Sequence, residues 1–282
     1  MSDTQDFSAW VGRTETVQED IAAARVAQLA AALDLESAPA KDDALPPAWQ
    51  WLYFNPAVRQ SQLGEDGHPQ RGGFLPPITL PRRMWAGSRI SYLAPVAVGA
   101  EAEKTSEILK VETKVGKSGT LIFVTLRHVI SSVGKPCIEE EQDLVYREPA
   151  APGSPPAPGK AAPDNAQWSE RVDPDTPLLF RYSALTFNGH RIHYDAPYAT
   201  QEEGYPGLVV HGPLTATLLH GLAVRARPGD RLTGFSFRGL SPIFVDHPFW
   251  IEAAEVDGKP GELALWARTE TGDLAMQATA TY

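Results

Sequence analysis

The sequence has a single cysteine, Cys137, in 282 residues, and only three methionines. One cysteine closes no internal disulfide and builds no Cys-rich metal cluster, so nothing points to an oxidising compartment and Cys137 reads as core filling. Basic residues are also scarce, with 25 Lys and Arg against 35 Asp and Glu, for a formal charge of −10. Such a balance excludes broad affinity for nucleic acid or anionic membranes, and an anionic ligand would need a local arginine or lysine patch. No apolar run approaches the roughly 20 residues that cross a bilayer, and MSDTQDFSAW lacks the basic and apolar regions of a signal peptide. The expectation is a cytoplasmic protein with no membrane and no nucleic-acid partner.

The residues present suggest two modules in one chain. Thr16 and Glu19 form a capping-box pattern, and Ile21, Ala24, Arg25, Leu29, Ala32 and Leu33 follow at helical spacing, predicting a helix to about Leu35. From Pro46, through GEDGHPQRGGFLPP, runs a turn-rich stretch of the length that often covers or forms a site. Strand runs follow from Arg89, namely RISYLAPVAVG, EKTSEILKVETKVGKSG, TLIFVTLRHVISSVGK and PCIEEEQDLVYRE. Residues 149–163, rich in Pro, Ala and Gly, read as a linker between an N-terminal module, 1–148, and a C-terminal module, 164–282.

The second module repeats the plan of the first. A helix start near Leu178 leads to a Gly/His-rich segment, a helix from about Pro213 to Ala226, and four strand runs that match those of the first half in order. The fold class is therefore α+β, two units each with an antiparallel sheet around a central helix.

The densest polar cluster lies in FRYSALTFNGHRIHYDAPYA, where Asn188, His190, Arg191, His193, Tyr194 and Asp195 fall within eight residues. A second motif, GYPGLVVHGPLTATLLHGLA, sets His211 and Gly212 at the start of a helix, where backbone N–H groups attract a negative oxygen. Leu214, Leu218, Leu219 and Leu222 have the spacing of a core face. Arg82, Arg83 and Arg89 flank Trp85 in the first half.

These segments resemble the MaoC-like, (R)-specific enoyl-CoA hydratases of the hot dog fold. Tyr182, Ser183, Ala184, Leu185 and Thr186 match the start of that family's hydratase motif, and Ile192 and His193 its end, with Asp195 and Ala199 continuing it. The motif's catalytic Asp falls on Asn188, and its Asn and Pro on His190 and Arg191. The variant TFNGHRIHYD, with RRMWAGSRISYLAPVAVG, is similar to a double hot dog subgroup that includes itaconyl-CoA and mesaconyl-CoA hydratases and the mitochondrial 3-hydroxyacyl-thioester dehydratase.

The resemblance implies reversible hydration of an enoyl-CoA thioester, with His193 as acid/base, Asn188 fixing the water, His190 as second acid/base candidate, and the Gly212 amide binding the thioester oxygen. Arg191, Arg83, Trp85, Asp195 and His211 are the substrate-binding candidates, the arginines for a carboxylate or for CoA phosphates. Asp195 and His211 also read as residues that only cap or pack. No cofactor is expected, since the thioester itself acidifies its α-proton, and zinc on His190, His193 and Asp195 is set aside because the glycine-containing loop lacks ligand geometry. The expected partners are the acyl-CoA substrate and a second copy in a homodimer. Two other readings stay open, a 3-hydroxyacyl-carrier-protein dehydratase and a non-catalytic thioester-binding protein; a thioesterase lacks a carboxylate at position 188.

Overall fold

A computed structural model describes residues 6–116, 119–149 and 159–282. Most of the 149–163 linker lies outside the described residues. Ten strands form one antiparallel sheet. The first half contributes β1 (Thr14–Asp20), β2 (Arg82–Tyr92), β3 (Glu101–Gly116), β4 (Gly119–Ser132) and β5 (Lys135–Arg147). The second contributes β6 (Trp168–Val172), β7 (Gly234–Gly239), β8 (Phe249–Glu255), β9 (Glu262–Thr269) and β10 (Leu274–Thr281). Their order across the sheet is β1-β3-β4-β5-β2-β7-β10-β9-β8-β6. Read outward from the centre, the two halves have the same topology, so the repeat seen in the sequence is a repeat of strand order.

The halves join where β2 pairs with β7, Gly87 opposite Arg238 and Ser91 opposite Gly234. Gly87 is required there: a Cβ would lie 2.3 Å from the Phe237 carbonyl oxygen. Within β2 a register shift between Trp85 and Gly87 breaks the alternation.

The helices are α1 (Ala23–Ala32), α2 (Thr176–Leu185) and α3 (Gly212–Ala226). In α3, Leu214, Ala216, Leu219, Leu222 and Ala223 are all buried, and the helix packs against β7, β8, β9 and β10. Its buried polar residues bond back along the helix, Thr217 Oγ1 to the Pro213 carbonyl at 2.8 Å and His220 Nδ1 to the Ala216 carbonyl at 2.7 Å. One core runs through both halves, from Leu29, Trp49 and Tyr92 to Leu219 and Phe237. Between α1 and β2 the chain forms short 3-10 turns, Trp49–Leu52 and Gln60–Gln62, rather than a counterpart to the 15-residue α3.

The expected capping box at Thr16 and Glu19 is not formed. Both residues lie in edge strand β1, where Thr16 Oγ1 meets Thr105 Oγ1 at 3.1 Å, and α1 starts only at Ala23, capped by no side chain. Pairing along β3 overrides the local helix signal. The edge strand β6 carried no strand signal that sequence reading picked up. Among the described residues no helix is long and apolar enough to cross a membrane.

Candidate active site

Helix α2 opens the site segment. Asp175 accepts a hydrogen bond from the Leu178 N–H at 2.8 Å, and Pro177 occupies the first turn. The helix closes in a Schellman arrangement, with the Asn188 N–H on the Ser183 carbonyl at 2.8 Å and the Phe187 N–H on that of Ala184. This forces Phe187 to φ 49°, a left-handed conformation usually taken by glycine. The chain then turns sharply, and Arg191–His193 form one 3-10 turn.

His193 is buried, and its Nδ1 lies 2.7 Å from the Val209 carbonyl oxygen. A carbonyl only accepts, so Nδ1 carries the proton and Nε2 keeps its lone pair. Burial pushes the imidazole down to about 4, against the Val209 bond, which favours the charged form, so His193 is neutral near pH 7.

His211 stacks on His193 at 3.6 Å between ring centroids. It is fully buried, its Nε2 meets Ser183 Oγ at 2.8 Å, and its Nδ1 has no partner among the described residues. Its burial excludes contact with a substrate carboxylate; it packs and positions His193. The next residue, Gly212, begins α3, which no side chain caps, and a Cβ on Gly212 would meet nothing within 4 Å. Open space therefore lies beside the helix N-terminus, next to the histidine stack.

Asn188 spends its side-chain oxygen on the backbone N–H of His190, at 3.0 Å. Its NH2 group remains, which can orient a water by its oxygen but takes no proton. The His190 ring stands edge-on to His193 at 5.4 Å and lies 4.2 Å from His68.

His68 and Asp66 belong to the first half, and sequence reading missed both. Asp66 Oδ2 is 3.0 Å from His68 Nδ1, and the Asp66 carbonyl accepts the Arg191 N–H at 2.9 Å. Gly67 sits against Gly189 so closely that the two backbones touch. Polar atoms of Asp66, His68 and His190 all lie within 4.8 Å of one another. Burial opposes the charge on Asp66, yet the side chain, charge and backbone N–H of His68 outweigh it and hold the carboxyl well below its ordinary range. Burial, reinforced by Arg83, lowers His68 despite Asp66, and burial with neighbouring His68 and His193 lowers His190.

The arginines separate clearly. Arg191 donates from Nε and Nη2 to Asp195 Oδ2 at 2.9 and 2.8 Å, donates from Nη1 to the Glu65 carbonyl at 2.9 Å, and lies 4.1 Å over the Tyr198 ring. It clamps loop 64–68 to the site segment, with its charge already paired to Asp195. Asp195 likewise holds Arg191 and accepts the Tyr198 N–H at 3.2 Å, a structural part. Trp85 is half-buried and packs toward the core, its Nε1 on Ser88 Oγ at 2.9 Å and its ring 5.1 Å from Trp51. Arg82 pairs with Glu203, and Arg89 with Glu141 and Asp143. Arg83 differs: it is close enough to lower both His68 and His190, and no carboxylate lies within ion-pair distance of it among the described residues.

Residues 48–245 match the hydroxyacyl-thioester dehydratase type 2 family. The chain belongs to that family. It is 50% identical over 276 residues to a mesaconyl-C(4)-CoA hydratase of Chloroflexus aurantiacus, covering 95% of this chain and 98% of that protein. It is 33% identical over 264 residues to the mitochondrial hydroxyacyl-thioester dehydratase type 2 of Schizosaccharomyces pombe, covering 83% and 84%. In fold it is similar to a Mycobacterium tuberculosis protein described as a double hotdog, with a TM-score of 0.53 at 14% identity over 96% of each chain. The repeated strand order is that double hot dog, and the family match runs from ahead of β2 to just beyond β7, taking in the junction of the halves and the site segment.

Proposed function

We propose that this protein adds water reversibly across the double bond of an enoyl-CoA thioester whose acyl group carries a free carboxylate. The observation that carries this reading is a neutral, buried His193 with a free Nε2, one stacked ring away from the open helix start at Gly212. As the water oxygen bonds to the β-carbon, His193 Nε2 takes its proton, and negative charge moves onto the thioester oxygen. The Gly212 amide, at the positive end of α3, stabilises that oxygen most when it is most charged. No resident cofactor is called on, because the thioester carbonyl itself accepts the electrons.

Arg83 supports the carboxylate. A mesaconyl-type acyl group bears an ionised carboxyl beside the double bond, and Arg83, which faces the Tyr146 hydroxyl but pairs with no carboxylate among the described residues, places its guanidinium beside His68 and His190. A groove of about 270 Å³ lined by Arg25, Leu52, Asn55, Ala184 and Phe187 opens at the end of α2 and suits the approach of a pantetheine arm. The exposed edge strands, β1 at one end of the sheet and β6 at the other, favour assembly as a homodimer, and composition favours the cytoplasm.

The test is loss of enoyl-thioester absorbance with crotonyl-, fumaryl- and mesaconyl-type CoA thioesters. The expected result is preference for the carboxylated substrates. His193→Ala should lower kcat by a factor on the order of 100 to 10,000. Arg83→Ala should remove the carboxylate preference, whereas Arg191→Ala should weaken all substrates alike. Full activity of His193→Ala would overturn the site, and an unchanged preference in Arg83→Ala would overturn the carboxylate reading.

A further inference from the structure

In this chain Asn188 stands where the resembled motif has a carboxylate, so beside His193 the second half offers a second imidazole, His190, but no carboxyl group. Water addition needs two proton transfers, one from the water and one to the α-carbon. The first half fills the gap. Loop 64–68 crosses to the site and is fixed there by the Arg191 N–H on the Asp66 carbonyl, the Arg191 side chain on the Glu65 carbonyl, and the Gly67–Gly189 contact.

We propose that Asp66 and His68 form the second acid–base unit of the hydration reaction, with His68 as the catalytic residue that protonates the α-carbon and Asp66 as its positioning residue. This rests on the hydratase reading above. A carboxylate oxygen 3.0 Å from Nδ1 accepts that N–H and leaves Nε2 as the exchangeable position. The two side chains are 25% and 20% exposed, respectively, whereas His211 is fully buried, so the unit sits at the mouth of the histidine cluster, where a ligand can touch it.

The step balances as follows. The water proton passes to His193 Nε2 as the C–O bond forms, the π electrons shift to the α-carbon, and the imidazolium of His68 gives its Nε2 proton to that carbon. The proton on His193 then returns to His68 through His190, which lies between them at 5.4 and 4.2 Å. The groups facing His68 are Asp66 and Arg71 from its own loop, Arg83 from β2, and His190 and His193 from the second half. Arg83 opposes the imidazolium in the free protein. Burial opposes it more strongly still, and a substrate carboxylate bound to Arg83 would remove the Arg83 part of that opposition.

The experiment compares wild type, His68→Ala, His68→Gln, Asp66→Asn and His193→Ala in two assays. The first is steady-state hydration across pH. The second is exchange of the α-hydrogen of the 3-hydroxyacyl-CoA product with D2O. Both His68 variants should lose at least about 100-fold in kcat with KM within about threefold. Asp66→Asn should lose about tenfold and move the limb of the pH profile that reports the acid. Exchange should persist in His193→Ala and vanish in His68→Ala. If wild type hydrates enoyl-CoA but the His68 variants stay within threefold of it, or keep exchange, this inference fails and the hydratase reading stands. If wild type hydrates no enoyl-CoA, both fail.

Discussion

The imidazole of His193 lies against that of His211, their centroids 3.6 Å apart and their planes 19° from parallel. Two imidazolium ions could not share that geometry, and burial, helped by His193 and His190, pushes His211 well below its ordinary range. The neutral ring is a fixed wall that sets the orientation of His193, and Ser183 is what fixes the wall. Removing its hydroxyl in Ser183→Ala would leave both nitrogens of a buried imidazole without partners. The expected cost is about 1–3 kcal/mol in urea unfolding, with kcat lowered several-fold and KM unchanged. A variant as stable and as active as wild type would show that Ser183 does not hold the ring.

Acid should unfold this protein early. His128 and His193 are pushed down to about 4 and His220 to about 3, each mainly by burial. The unfolded chain binds these protons near its ordinary histidine value and the folded chain does not, so stability rises with pH between the two values and is lost as pH falls through that window. At pH 5 each group costs about 2 kcal/mol relative to pH 7. Glu140, fully buried and raised mainly by that burial, works in the opposite direction as a single group. Urea midpoints at pH 7 and pH 5 should therefore differ strongly, and His128→Gln should reduce the difference. Equal midpoints would remove histidine burial as the cause.

What the sequence made legible was whatever is local. The strand runs, the start of α3 at Gly212 and the Tyr182–His193 motif are consequences of spacing along a few residues, and the repeat of the strand runs along the chain reappears as β2-β5-β4-β3 and β7-β10-β9-β8 in the two halves of the sheet. What stayed hidden depends on contacts between distant segments. Thr16 and Glu19 read as a helix cap until β3 is there to pair with them. That Arg191 also ties loop 64–68 to the site segment is visible only once the loop is in place. Asp66 and His68 sit in a Gly/Pro-rich loop with no periodicity, about 120 residues from His190 in the sequence. The available signal was chemical rather than periodic: a histidine two residues from an aspartate, with a glycine between them, in a long loop.

That intervening glycine gives the sharpest check on how the two halves are joined. Gly67 has φ +84°, and a Cβ there would lie 1.9 Å from the Gly189 carbonyl oxygen and 2.9 Å from its carbon. The clash is backbone against backbone, so no side-chain rotation relieves it, and the left-handed conformation adds about 1–2 kcal/mol for any residue with a Cβ. Gly67→Ala must therefore push loop 64–68 off the site segment, carrying Asp66 and His68 away from His190 while leaving the sheet and α3, which the loop does not support, in place. Displacement of a catalytic group by about 1 Å costs on the order of 100-fold in rate. The expected outcome is a loss of that size in kcat with only a small fall in melting temperature. Gly73→Ala is the control, since a Cβ at that position in the same stretch meets nothing within 4 Å. Equal activity in the two variants would mean that the contact of the first half with His190 has no part in turnover.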